Sequence, residues 1–135
     1  MALILDTGPL VAMLDATDPD HRHCTELLQQ SSEPRGVPVC VLVEVEYLVR
    51  PWPEAFAALI SDFESGALEL IDLPPRWLVR AGELVDRYSD LPLGLVDATV
   101  VAAAEMLDEQ KVATLDRRHF SIVRPAHVDA LTLLP

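Results

Sequence analysis

Short apolar runs alternate along the chain with longer segments whose apolar positions recur every three or four residues. Residues 2–6, "ALILD", form an apolar run that stops at a carboxylate before the turn pair Gly8-Pro9, which predicts a short buried strand. Residues 9–14 read as a short helix, and residues 21–30 as a helix with Cys24, Leu27 and Leu28 on one side. "SSEPRG" (31–36) reads as a loop. The next stretch starts extended and then changes period. A strand is expected at 38–41 and a helix at 42–50, with Val41, Val45, Leu48 and Val49 at helical spacing. Pro51 and Pro53 break the chain, and a helix over 54–65 ends near Gly66. "ALELIDL" (67–73) alternates and predicts a strand, followed by an amphipathic helix at 75–88 and a loop at 89–94. Residues 95–107 form a helix apolar on nearly every side, hence buried. "KVATLD" (111–116) predicts another strand ending on Asp, and 128–134 a last edge strand.

Strands alternating with helices imply parallel βαβ units with right-handed crossovers. The expected fold is α/β, a mostly parallel sheet of four or five strands covered by helices on both faces. Ligands of such sheets collect beyond the C-terminal strand ends, where Asp6 and Asp116 both fall. The 135 residues suit one domain, 1–135, with no internal repeat or linker. Aromatic residues are only 5% of the chain, so the core must be aliphatic, which favours helices on a sheet over an aromatic-rich barrel. There is no apolar run of ~18 residues, so no membrane span is expected. The first 14 residues lack a basic start, and Asp6 interrupts their apolar stretch, so no signal peptide is expected. Cys24 and Cys40 lack metal-ligand spacing and read as free buried thiols of a cytoplasmic protein.

The net charge of −12 argues against a domain that holds nucleic acid by bulk electrostatics. Either the acids keep the surface solvated, or some converge on a site that recruits divalent cations. A basic partner also suits such a surface.

Four carboxylates stand in unusual settings. Glu44 lies three residues after Val41 and four before Leu48, inside the apolar stripe, while Glu46 points roughly 160–200° away. A buried carboxylate needs a partner, either a cation or an arginine such as Arg50 or Arg80. Asp97 opens the most apolar helix, where a plain N-cap is the ordinary explanation. Asp6 and Asp116 have ordinary explanations as strand-end turn residues, with Thr7 as a turn hydroxyl and Arg117 as a neutralising neighbour. Together these readings need four coincidences at one end of one sheet. Hard oxygen ligands clustered there would bind Mg²⁺ or Mn²⁺ and cancel the repulsion between them.

Other chemistries lack their motifs. There is no GxGxxG, no GxxxxGK[ST] and no nucleophile elbow. His21 and His23 diverge on a helix and read as a solvated face, and His127 falls in a late loop. His119 follows Asp116 by three and either faces the site or covers the sheet edge. A dehalogenase-like phosphatase needs a second Asp where Gly8 stands. A phosphotransfer receiver needs a Lys at a late strand end, but Lys111, the only lysine, starts its strand.

"ILDTGPLVAMLD", "VLVEVEYLV", "LPLGLVDATVVAAAE" and "VATLDRRHFSIVRP", in that order, resemble the successive blocks of a PIN domain. More specifically, they resemble a VapC-type ribonuclease toxin of a VapBC toxin–antitoxin pair, from Leu3 to Pro135. The resemblance implies an α/β/α sandwich and a metal-dependent endoribonuclease. It assigns Asp6 and Asp97 as the main ligands of Mg²⁺ or Mn²⁺, with Glu44 (not Glu46) and Asp116 completing the catalytic set. Thr7 and Asp90 are lesser candidates. Arg117 and Arg118 read either as RNA-backbone contacts or as a solvated pair. RNA as substrate, a VapB-type antitoxin with a basic tail, and a homodimer are the implied partners. A non-toxin PIN nuclease in RNA processing, or a non-catalytic acidic groove binding a basic peptide, are the rival readings.

Overall fold

The computed structural model describes residues Met1–Pro135. In chain order the elements are β1 (Leu3–Leu5), α1 (Thr7–Leu14), α2 (His21–Gln30), β2 (Arg35–Pro38), α3 (Val39–Val49) and α4 (Pro53–Glu64). They continue with β3 (Glu69–Ile71), α5 (Pro75–Arg87), α6 (Leu95–Leu107), β4 (Lys111–Ala113), α7 (Arg117–Ile122) and β5 (Thr132–Leu134). The five strands form one sheet in the order β3-β2-β1-β4-β5, and every pairing is parallel. β1 is central, with Ile4 registered against Gly36 on one side and Val112 on the other. A strand covered on both faces must be apolar throughout, and Leu3, Ile4 and Leu5 are all fully buried.

Crossovers β1→β2→β3 run toward one sheet edge and β3→β4→β5 toward the other. With right-handed connections this sends α1–α4 over one face and α5–α7 over the opposite one. The core is aliphatic, as the composition predicts; Phe120 is its only fully buried aromatic side chain. α6 is buried continuously from Ala98 to Ala104, because its small residues admit close neighbours. α5 packs beside it, and the Arg80 guanidinium donates to both Glu105 oxygens at 2.8 and 2.9 Å. No helix is long and apolar enough to cross a membrane.

Several expected boundaries move. The second strand is Arg35–Pro38, not 38–41, so the expected loop of 31–36 is partly strand and the helix begins at Val39. The residue before a proline is held extended, and Pro38 itself brings no N–H to continue the ladder. On α3, Val41, Val45 and Val49 are buried, but Leu48 is 45% exposed and leaves the predicted stripe. α1 begins at Thr7, two residues before the expected start. The strands at 2–6, 67–73, 111–116 and 128–134 shrink to three residues each, because ladder pairing stops where the flanking helices and loops begin. The periodicity does not predict α7, which is only six residues long. Asp116 caps it, accepting from the His119 backbone N–H at 3.1 Å, and buried Phe120 anchors it. Cys24 is buried and Cys40 half-buried, both as free thiols.

Candidate active site

Chain connections leave β1 and β4 in opposite directions, so the seam between these neighbours is the topological switch point, where a parallel sheet opens a crevice at its C-terminal end. Asp6 follows β1 directly and is 5% exposed, its backbone N–H donating to the Ala113 carbonyl at 2.9 Å. Across the seam stands Thr114, a residue that sequence reasoning missed. Its buried hydroxyl donates to Asp6 Oδ2 at 2.8 Å and accepts from the Asp116 backbone N–H at 3.0 Å. One hydroxyl thus ties both strand ends together. The available hint was a polar residue inside "VATLD", two positions before the carboxylate.

The other two acids arrive from helices. Glu44 lies midway along α3. Asp97 is the third residue of α6 and not its cap, which is Gly94 in an extended conformation with no side-chain capping bond. There the helix dipole favours a carboxylate. Asp6, Thr7, Gly8, Glu44, Asp97, Leu115 and Asp116 together line one open cleft of about 410 Å³. A Cβ on Gly8 would meet Leu115 at 3.2 Å, so the absent side chain lets α1 start close against the loop after β4.

Burial pushes the Asp6 carboxyl up to about 6, opposed by hydrogen bonds from the Thr114 hydroxyl and the Thr7 backbone N–H and helped by the charges of Asp97 and Glu44. Burial likewise raises Asp97, with Asp116 and Glu44 adding to the shift and His119 opposing it. His119 Nδ1 lies 3.0 Å from Asp97 Oδ2 and 3.0 Å from Asp116 Oδ2, so His119 faces the site instead of covering the sheet edge. The Thr7 hydroxyl is buried in the same lining with no hydrogen-bond partner. The arginine pairings weighed for Glu44 do not form: Arg50 pairs with Glu46, and Arg80 with Glu83 and Glu105. An orphaned buried hydroxyl beside four carboxylates suits a hard divalent cation. Asp97, Asp116 and His119 already bring one donor atom each within 4.8 Å of one another.

The remaining candidates lie elsewhere. Asp90 is exposed in the turn after α5 and does not line the cleft. Arg117 turns away and donates to the Leu133 and Pro135 carbonyls. Arg118 is exposed. His21 meets the Ala12 carbonyl at 2.7 Å and His127 the Glu109 carbonyl at 2.6 Å, both outside the cleft.

No family model matches the chain. It is 34% identical to Ribonuclease VapC26 of Mycobacterium tuberculosis over 135 residues, spanning 98% of this chain and 100% of that protein. Its fold matches VapC20 of Mycobacterium tuberculosis, a sarcin–ricin-loop-cleaving toxin, with a TM-score of 0.82 at 22% identity over 94% of this chain and 98% of that one. VapBC2 from Rickettsia felis, bound to a fragment of its promoter DNA, gives a TM-score of 0.71 at 21% identity over the whole of both chains. DNA-bound VapBC from Salmonella typhimurium gives 0.70 at 19% identity over 98% of each.

Proposed function

The chain belongs to the VapC ribonuclease family, and from that premise we propose that it is a metal-dependent endoribonuclease, the toxin of a type II toxin–antitoxin pair, cutting RNA in the acidic cleft between β1 and β4. The observation that carries the reading is the convergence of Asp6, Glu44, Asp97 and Asp116, from four separate segments, on the switch point of the sheet.

Asp6 and Asp97 are the principal ligands of Mg²⁺ or Mn²⁺, with Glu44 and Asp116 completing the set directly or through water. Such a cation supplies neutralising charge at the scissile phosphate and an acidified water as nucleophile. The protein's own part is preorganisation. The Thr114 hydroxyl holds Asp6 Oδ2, and β1 and α6 fix Asp6 and Asp97 on rigid elements. An Asp6 carboxyl that titrates at about 6 must lose its proton to ligate, so cation binding strengthens as pH rises through that value.

The charge of −12 leaves RNA contact to shape and to local basic residues such as exposed Arg118. The same charge draws a basic segment of a VapB-type antitoxin toward the cleft. A second copy of the chain and a cytoplasmic setting complete the proposal. The test is incubation of the purified chain with a mixed RNA pool in Mg²⁺, in Mn²⁺ and in EDTA. Cuts at few positions, abolished by EDTA, are expected. An uncut pool containing the intact cellular RNAs of the host, with folded and cation-loaded protein, would leave only the peptide-binding groove.

A further inference from the structure

The four carboxylates do not stand in equal need of positive charge. Asp116 Oδ1 accepts from the His119 backbone N–H at 3.1 Å. Its Oδ2 lies 3.0 Å from His119 Nδ1, and the same nitrogen lies 3.0 Å from Asp97 Oδ2. The ring nitrogen hydrogen-bonds to Asp97 Oδ2 and lies within ion-pair distance of Asp116 Oδ2, and with only carboxylate oxygens facing it, its hydrogen is assigned to Nδ1. On the Asp6–Glu44 side of the cleft the one side-chain donor is the neutral Thr114 hydroxyl, given to Asp6 Oδ2. Glu44 has no arginine, since Arg50 and Arg80 are engaged by other acids. Thr7 there is 6% exposed, and its buried hydroxyl is unpartnered.

Resting on the nuclease reading above, we infer that His119 is a positioning residue whose imidazole occupies the place of a second divalent cation. The cleft therefore takes one cation, on its Asp6–Glu44 side. Two-cation phosphodiester sites hold their ions about 3.5–4 Å apart. In this cleft Asp97, which lines it together with Glu44 and Asp116, is the carboxylate such a pair would share. The second ion would need the oxygens of Asp97 and Asp116 that converge on His119 Nδ1. The imidazole is held in this place by its helix: Asp116 caps α7, and Phe120, the next residue, is 1% exposed in the core. His119 thus keeps Asp116 and Asp97 together without a cation.

The deciding measurement counts tightly bound Mn²⁺ per chain, from the electron paramagnetic resonance of free Mn²⁺ across a titration of the full chain. Wild type is expected to bind one ion, His119→Ala two, and His119→Gln, which retains an amide donor, one. Two ions on wild type would overturn the inference whatever the variants do. A count of one or none on folded His119→Ala would also overturn it, the latter making His119 itself a ligand. A wild type that binds no ion would remove the metal-nuclease reading as well, so the two failures are distinct.

Discussion

Replacing Asp6 by asparagine should make the cation-free protein more stable at neutral pH. In the folded chain the Asp6 carboxyl is pushed from its ordinary 3.8 to about 6, chiefly by burial. The folded state therefore binds this proton more tightly than the unfolded state does. Below pH ~4 both states are protonated and there is no penalty. As pH rises through about 6 the folded state must carry a buried charge, and the full cost of about 3 kcal/mol is in place above that value. In Asp6→Asn the amide keeps an oxygen that accepts from Thr114 and turns a neutral group toward Asp97 and Glu44. Spread over 135 residues, about 3 kcal/mol corresponds to roughly 10 °C in the melting midpoint, an upper value. The assay is thermal unfolding of wild type and Asp6→Asn in EDTA at pH 4 and pH 8. The variant's advantage should be large at pH 8 and small at pH 4. In Mn²⁺ the order should narrow or reverse, because only wild type retains the ligand that couples binding to folding. An Asp6→Asn chain less stable than wild type at pH 8 in EDTA, or an advantage independent of pH, would refute this explanation of the buried carboxyl.

Thr114→Val keeps the shape of the side chain but leaves Asp6 Oδ2 and the Asp116 N–H without their shared partner. It should cost about 2 kcal/mol in urea unfolding and lower cleavage by about tenfold or more. Arg80→Ala strands Glu105, whose side chain is 5% exposed, and should cost about 3 kcal/mol by the same unfolding assay, with the cleavage rate per folded molecule little changed. Asp90→Ala removes an exposed carboxylate outside the cleft, so single-turnover cleavage should stay within about twofold of wild type.

Element type was legible wherever a long segment had one period. The helices at 21–30, 75–88 and 95–107 lie within a residue or so of their observed positions, because a single apolar stripe or an all-apolar run leaves no competing arrangement. Short elements were harder to bound. Val39-Cys40-Val41 has strand-like composition and is helical, since the burial of Val41, Val45 and Val49 outweighs β-branched preference. The carboxylates of the site could be read because acids at strand ends and inside apolar faces conflict with local rules. Thr114 was hidden because a threonine in a strand is unremarkable until the partner across the seam, Asp6, is known. His119 was ambiguous for a related reason. Its place three residues from Asp116 in sequence says nothing of Asp97, which comes from the first turn of α6 and reaches the same nitrogen only in the folded chain.

One cleft is assigned two tasks, holding a cation and cutting RNA, and the two should fail together. The direct test measures bound Mn²⁺ and cleavage rate on the same preparations of wild type, Asp97→Asn and Glu44→Gln. Asp97 lines the cleft as one of the two principal ligands proposed, so its neutralisation should reduce both quantities together. Glu44→Gln should act in the same direction. A variant that no longer binds Mn²⁺ yet cuts RNA at the wild-type rate would contradict the assignment.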